Sequence, residues 1–143
     1  MKRGIALILA LVFVFAVLLT GCTSEETSLD EGSNLKVGLV LAGGLGDRSF
    51  YDSAYEGVEM AKEELGIEYK VYECRNDPSL YSDQLVQASE YADIVAIVGH
   101  EFFDLSQKIP SEFPDVYYIY VDNAIEGIDN LITISYMENE GSF

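Results

Sequence analysis

Basic residues are scarce in this chain. Its 143 residues include 8 lysines and arginines against 25 aspartates and glutamates, so the formal net charge is −17. Without Lys2 and Arg3 the basic count would fall to six and the charge to −19. A surface of this sign repels nucleic acid and anionic lipid headgroups. The composition therefore argues against a nucleic-acid-binding protein, and against a polyanionic ligand unless local backbone amides overcome the field.

Histidine and cysteine are also too few for most catalytic or metal chemistry. His100 is the single histidine, with no acidic or cysteine neighbours at the spacing of metal ligands. The sequence has no Gly-x-Ser-x-Gly elbow, the turn that exposes a catalytic serine in one large class of hydrolases, and no histidine besides His100. Cys74 is expected to be a small half-buried side chain at a strand end rather than a reactive thiol. We predict neither an enzyme nor a cofactor or metal site.

The N-terminus has the pattern of an exported lipoprotein. Two positive charges, Lys2 and Arg3, precede the apolar run 5–19, as in a secretory signal peptide. The run is shorter than the ~20 apolar residues of a confident membrane span. Leu19-Thr20-Gly21-Cys22 then resembles a bacterial-type lipobox. We predict a signal peptide at 1–21 and lipidation at Cys22; an uncleaved anchor helix is the alternative, and both place the remainder outside the cytoplasm.

The residues after the cysteine divide into a tether and one domain. Segment 22–34 contains one large apolar residue, Leu29, and cannot form a core, so we predict a flexible tether. Residues 35–143 are enough for one small domain. Because the chain stops where an α/β fold would enter its next helix, we expect an incomplete lobe of a longer protein. Its last strand, 131–135, should leave an unpaired edge and an uncovered apolar face.

Within this domain, apolar runs of strand length alternate with segments of helical period. The strands are expected at 36–41, 69–72, 94–98, 116–121 and 131–135. The helices are expected at 49–65, 80–91 and 102–112. Crossover helices between strands require parallel pairing, so we predict a doubly wound α/β fold with a parallel sheet and helices on both faces.

Ligands of open parallel sheets bind outside the carboxyl ends of the strands. The loops that follow those ends are 42–49, 74–79, 99–103 and 122–130. The first has the strongest pattern: Gly43 and Gly44 allow a tight turn and a close approach to a ligand. It lacks the Lys-Ser/Thr ending of a nucleotide-hydrolase loop and the spacing of a dinucleotide fingerprint, and Asp47 would repel phosphate.

The segment 43–50, Gly-Gly-Leu-Gly-Asp-Arg-Ser-Phe, resembles the Gly-Gly-x-x-Asp-x-Ser-Phe signature of the basic membrane protein family. These are substrate-binding lipoproteins of nucleoside-type ABC importers. The resemblance spans 36–143. Further matches are Tyr55-Glu56-Gly57, Gly99-His100, Phe113-Pro114-Asp115, Asp122 and Glu140-Gly141-Ser142-Phe143. It implies a type I periplasmic-binding-protein-like fold of two lobes, of which this chain holds the N-terminal one.

The resemblance also implies which residues contact a ligand. The family's purine-stacking aromatic falls on Phe50, and a ligand-facing carboxylate falls on Asp122. An aromatic face can stack on a base, and a carboxylate can accept hydrogen bonds from base or ribose donors. Many family members have Asn where this chain has Tyr51, so the amide's donor and acceptor are lost. Asp47, Ser49 and His100 complete the candidate contacts.

Simpler roles remain open for the same residues. Phe50 could be the first core residue of its helix, Asp47 and Ser49 could only cap that helix, and His100 could be a hydrogen-bonded loop residue. The cluster 117–120 contains three tyrosines that alternate along a strand, which favours packing over a platform for a base.

Two kinds of function fit the sequence. The first is an extracytoplasmic lipoprotein that binds a small solute, a purine nucleoside by resemblance, for an ABC importer. Its implied partners are the solute, an ABC permease and the membrane, which it meets through the lipid. The alternative is a sensory or regulatory lipoprotein that uses the same lobe without transport. Hydrolysis would need catalytic groups from outside this chain.

Overall fold

A computed structural model of the chain describes residues 35–137. The predicted signal peptide, the predicted lipidation site Cys22, the predicted tether and the motif at 140–143 lie outside this range. Within it, five parallel strands form one sheet in the order β2-β1-β3-β4-β5. The strands are β1 (Lys36–Leu41), β2 (Glu68–Glu73), β3 (Ile94–Val98), β4 (Tyr117–Val121) and β5 (Leu131–Ile134). The predicted parallel α/β sheet is confirmed.

Two longer helices cross between the first three strands. They are α1 (Phe50–Leu65), after β1, and α2 (Tyr81–Tyr91), after β2. Both begin one residue later than predicted and end where predicted. No helix within residues 35–137 is long and apolar enough to cross a membrane.

The prediction of one continuous helix at 102–112 is wrong. The chain instead forms a 3₁₀ turn (His100–Phe102) and two single-turn helices, α3 (Phe103–Ser106) and α4 (Ile109–Glu112). Pro110 explains the break, because proline has no N–H for a helical bond and its ring clashes with the carbonyl four residues earlier. Proline is tolerated in the first turn of a helix, and Pro110 occupies that place in α4.

Each face of the sheet has its own apolar core. Leu39 and Leu41 of β1 pack with Val58 of α1. The alternate β1 residue, Val40, packs on the other face with Leu85 of α2 and Tyr118 of β4. Successive side chains of a strand point to opposite faces, so this division places α1 and α2 on opposite sides of the sheet. The doubly wound arrangement is thereby confirmed.

One part of the α1 face remains uncovered in the described chain. Tyr117, Ile132 and Ile134 are 62%, 62% and 44% exposed. They lie on β4 and on β5, which forms one edge of the described sheet. This is the edge at which an unpaired strand and an apolar face were expected. On the opposite face, Tyr118 and Tyr120 are fully buried, so the tyrosines of β4 divide between core and surface.

Candidate functional site

The loops after β1, β2, β3 and β4 meet at the carboxyl edge of the sheet. The strand order places β1 beside β3, so the chain leaves β1 toward one side and β3 toward the other. Such a topological switch point opens a crevice between the two strand ends. Among residues 35–137, the non-glycine residues with positive φ lie in the loops that follow strands: Arg48, Arg75, Asn76 and Asp122. Unfavourable backbone conformations of this kind cluster at functional edges of proteins.

Asp47 caps helix α1. Its carboxylate accepts hydrogen bonds from the backbone amides of Ser49, Tyr51 and Asp52 at 3.0, 3.1 and 3.1 Å. Desolvation would raise the pKa of Asp47, but these amides hold it below its ordinary value. The Ser49 side chain makes no capping bond within residues 35–137. Both carboxylate oxygens of Asp47 therefore cap the helix, while Ser49 remains exposed.

Two more carboxylates hold the glycine-rich loop before α1. Asp52 accepts hydrogen bonds from the amides of Gly46 and Arg48 at 2.7 and 2.8 Å. Glu73, at the end of β2, accepts one from the amide of Leu45 at 2.9 Å. A phosphate-binding loop needs free amides that point at the ligand. Here those amides are bonded to carboxylates, so the loop cannot cradle a phosphate as it stands.

Phe50 and Tyr51 form an aromatic pair at the start of α1. Their ring centroids are 5.6 Å apart, and both side chains are partly buried against the core that α1 covers. The Tyr51 ring lies on Gly43, where a Cβ atom would come within 2.3 Å of Cε2. Only glycine fits beneath that ring. Phe50 thus combines core contact with partial exposure, a position compatible with packing and with stacking on a ligand.

Glu101 is a site residue that the sequence analysis missed. Its Oε2 atom is buried and has no hydrogen-bond partner among residues 35–137. Nδ1 of His100 lies 3.6 Å from this oxygen, on a side chain that is 82% exposed. Burial first, and the charge of Glu101 second, raise the pKa of Tyr51 and of Tyr81. Burial also raises the pKa of Tyr120 to about 12, and Glu101 adds to the shift.

The remaining predicted contacts lie on the loops after β3 and β4. His100 begins the 3₁₀ turn after β3, with its imidazole exposed beside Glu101. Asp122 follows β4 with a φ of 66°, is exposed, and its amide donates to the carbonyl of Ile134 at 2.7 Å. Its charge acts on Tyr120, which Glu101 also influences. The six predicted contacts therefore follow β1, β3 or β4.

The described residues offer little for metal or thiol chemistry. No group of three or more His, Cys, Asp or Glu side chains in residues 35–137 is arranged to hold a metal ion. Cys74 is fully buried rather than half-buried as expected. Burial first, and the charge of Asp77 second, raise the pKa of its thiol to about 11. Cys74 is therefore a protonated core residue at neutral pH.

Known proteins resemble this chain over most of its length. Residues 34–143 match a family model, Bmp, described as "ABC transporter substrate-binding protein PnrA-like". An uncharacterized lipoprotein of Pyrococcus abyssi is 33% identical over 99% of the chain. Basic membrane protein A of Borreliella burgdorferi is 28% identical over 95% of it. The chain spans 36% and 40% of the length of these two relatives.

The solved structures agree with this relationship. An ABC transporter solute-binding protein of Aeropyrum pernix superposes with a TM-score of 0.64 at 28% identity. The superposition covers 69% of this chain and 28% of that one. A solute-binding protein of Conexibacter woesei gives a TM-score of 0.56 at 25% identity, over 63% of this chain and 30% of its own.

Proposed function

Because the chain belongs to the Bmp family of PnrA-like ABC transporter substrate-binding proteins, we propose that it forms the N-terminal lobe, 35–143, of a protein that captures a small solute for an ABC importer. The observation that carries this proposal is the family match across residues 34–143. The family is one of substrate-binding proteins, which favours binding over catalysis. The solute would enter the crevice between β1 and β3, and an ABC permease would receive it.

We further propose a purine nucleoside as the solute. Phe50, a partly exposed aromatic residue, lies at the N-terminus of α1 beside Tyr51. Base and aromatic rings stack favourably. The amides of the first loop are bonded to Asp47, Asp52 and Glu73, which disfavours a phosphate group. Both features suit a nucleoside better than a nucleotide, and Asp122 would then accept hydrogen bonds from the base or the ribose.

Calorimetric titration of the full-length protein with guanosine, inosine, adenosine and ribose tests this function. Phe50→Ala should weaken nucleoside binding by about 1–3 kcal/mol, the range for a lost base–aromatic stack. Phe50→Leu keeps apolar bulk without the aromatic face and should lose a similar amount. Tyr117→Ala is the control, because that exposed ring lies at the opposite end of the sheet.

The outcomes of this titration separate the ligand class from the role of Phe50. No heat with any nucleoside would reject the nucleoside and favour a sensory role or another solute. Nucleoside binding with full affinity in Phe50→Ala would show that Phe50 is only a core residue. Asp122→Asn should also weaken binding, because a pure acceptor becomes a mixed donor and acceptor. Tyr51→Asn should hold or raise affinity.

We also propose that residues 1–21 are a signal peptide and that Cys22 carries a lipid at the extracytoplasmic face of the cell membrane, with 22–34 as the tether. Relatives from Pyrococcus abyssi and Pyrococcus horikoshii are named lipoproteins, which supports the proposal. Metabolic labelling with a fatty acid should mark the wild-type protein and not Cys22→Ala. Cys74→Ala is the matched control and should keep its label, because Cys74 is buried in the core. Equal labelling of all three proteins would contradict lipidation at Cys22.

A further inference from the structure

The Glu101 carboxylate lies in the crevice at the switch point. A Cβ atom built on Gly99, the residue after β3, would be 2.7 Å from Oε2 of Glu101 and 2.5 Å from Cβ of Ala42. Ala42 follows β1 directly, and its amide donates to the carbonyl of Val98 at the end of β3. Oε2 therefore lies above the junction of β1 and β3. In open parallel sheets, ligands bind at this position, outside the carboxyl ends of the strands.

One oxygen of this carboxylate has no hydrogen-bond partner in the described part of the chain. Oε2 is buried and lacks a hydrogen-bond partner among the described residues, whereas the side chain as a whole remains 26% exposed. A buried acceptor without a donor costs free energy. His100 is 3.6 Å away, too far for a hydrogen bond, and its side chain is largely in solvent. An incoming donor would remove the cost.

The surrounding tyrosine side chains do not satisfy this acceptor. The Tyr120 hydroxyl donates to the carbonyl of Gly99 at 3.1 Å and accepts from Nδ2 of Asn123 at 3.1 Å. It is thus engaged elsewhere. The charge of Glu101 contributes to the raised pKa of Tyr51 and of Tyr81, yet neither hydroxyl donates to Oε2 in the described chain. The crevice therefore combines tyrosine side chains with one unsatisfied carboxylate.

We propose that Glu101 is a specificity-determining residue that accepts hydrogen bonds from N–H donors of the bound solute. This inference rests on the nucleoside function proposed above. A carboxylate only accepts, and it binds two parallel donors best. Guanine offers N1–H and a 2-amino group side by side, and hypoxanthine offers N1–H alone. Adenine places an unprotonated ring nitrogen beside its amino group. The expected order of affinity is guanosine, then inosine, then adenosine.

Titration of the wild-type full-length protein and of Glu101→Gln with these three nucleosides tests the proposal. In Glu101→Gln the affinity for guanosine should fall about 10- to 100-fold, the range for lost hydrogen bonds to a charged group. Affinity for adenosine should hold or rise, because the amide can donate to its ring nitrogen. Glu90→Gln, which removes an exposed carboxylate from the last turn of α2, should leave all three affinities unchanged.

The possible results distinguish the role of Glu101 from nucleoside binding by the protein. Equal affinities of the wild type for the three nucleosides, or an unchanged order in Glu101→Gln, would overturn the role of Glu101 and leave nucleoside binding intact. No binding of any nucleoside would overturn both. Equal wild-type affinities would overturn the role of Glu101 even if Glu101→Gln does not fold.

Discussion

Replacing Gly99 by alanine is expected to destabilise the protein by about 3 kcal/mol. Gly99 has a φ of 125° and a ψ of 133°, a conformation that costs an L-residue about 1–3 kcal/mol. The added Cβ would also lie 2.5 Å from Cβ of Ala42. Overpacking of this kind costs about 1–3 kcal/mol. The two penalties act together, because neither the backbone angle nor the β1–β3 junction can relax without disturbing the sheet.

Gly57→Ala is the matched control, since it adds the same methyl group elsewhere. Gly57 lies in the interior of α1, and no atom of residues 35–137 outside its own helix turn comes within 4 Å of the added Cβ. Alanine should stabilise this position by about 0.5–1 kcal/mol. Urea unfolding of the wild type and both variants measures the difference. Unfolding of Gly99→Ala at the wild-type midpoint would show that position 99 needs neither a positive φ nor the absence of a Cβ atom.

The strands were the most predictable part of the fold. Segments 37–41 and 94–98 are continuous apolar runs, and the structure gives β1 and β3 the predicted bounds, 36–41 and 94–98. Such runs are typical of strands buried on both faces. The segment 102–112 has an apolar pattern too, but the backbone requirement of Pro110 outweighs it and the helix divides. Periodicity reports which side chains are buried and does not report a missing N–H group.

The candidate site was less predictable than the fold. Local chemistry was sufficient for Asp47, because capping depends on amides two to five residues ahead. Glu73 could not be assigned to the first loop, because its partner amide, that of Leu45, is 28 residues away. Glu101 had no periodic pattern to identify it. Its position follows from a property of the whole sheet, the adjacency of β1 and β3.

Asn130→Asp is expected to destabilise the protein by about 3 kcal/mol at neutral pH, because two N–H donors shared among three carbonyls are lost, at about 0.5–1.5 kcal/mol for each hydrogen bond, and are replaced by repulsion. Nδ2 of Asn130 donates to the carbonyls of Pro110, Phe113 and Val116 at 3.0, 3.1 and 2.8 Å. This one amide fixes the segment around α4 against the start of β5. A carboxylate has the same shape but only accepts, so its oxygen would face three other acceptors.

The loss should depend on pH with a defined sign. The three carbonyl oxygens repel the charged carboxylate. In the folded protein, the pKa of the new carboxyl should therefore lie above the value of about 3.9 that it has in the unfolded chain. The variant is then least impaired below that unfolded value, where the protonated acid can donate one hydrogen bond. It loses stability as the pH rises through the folded pKa.

Asn76→Asp adds the same charge at an exposed residue and should change stability by less than about 0.5 kcal/mol. Urea unfolding midpoints measured between acid and neutral pH give the comparison. Parallel pH profiles for the two variants would show that the Asn130 bonds do not hold the α4 segment, and a deficit that grows with pH only in Asn130→Asp would establish that they do.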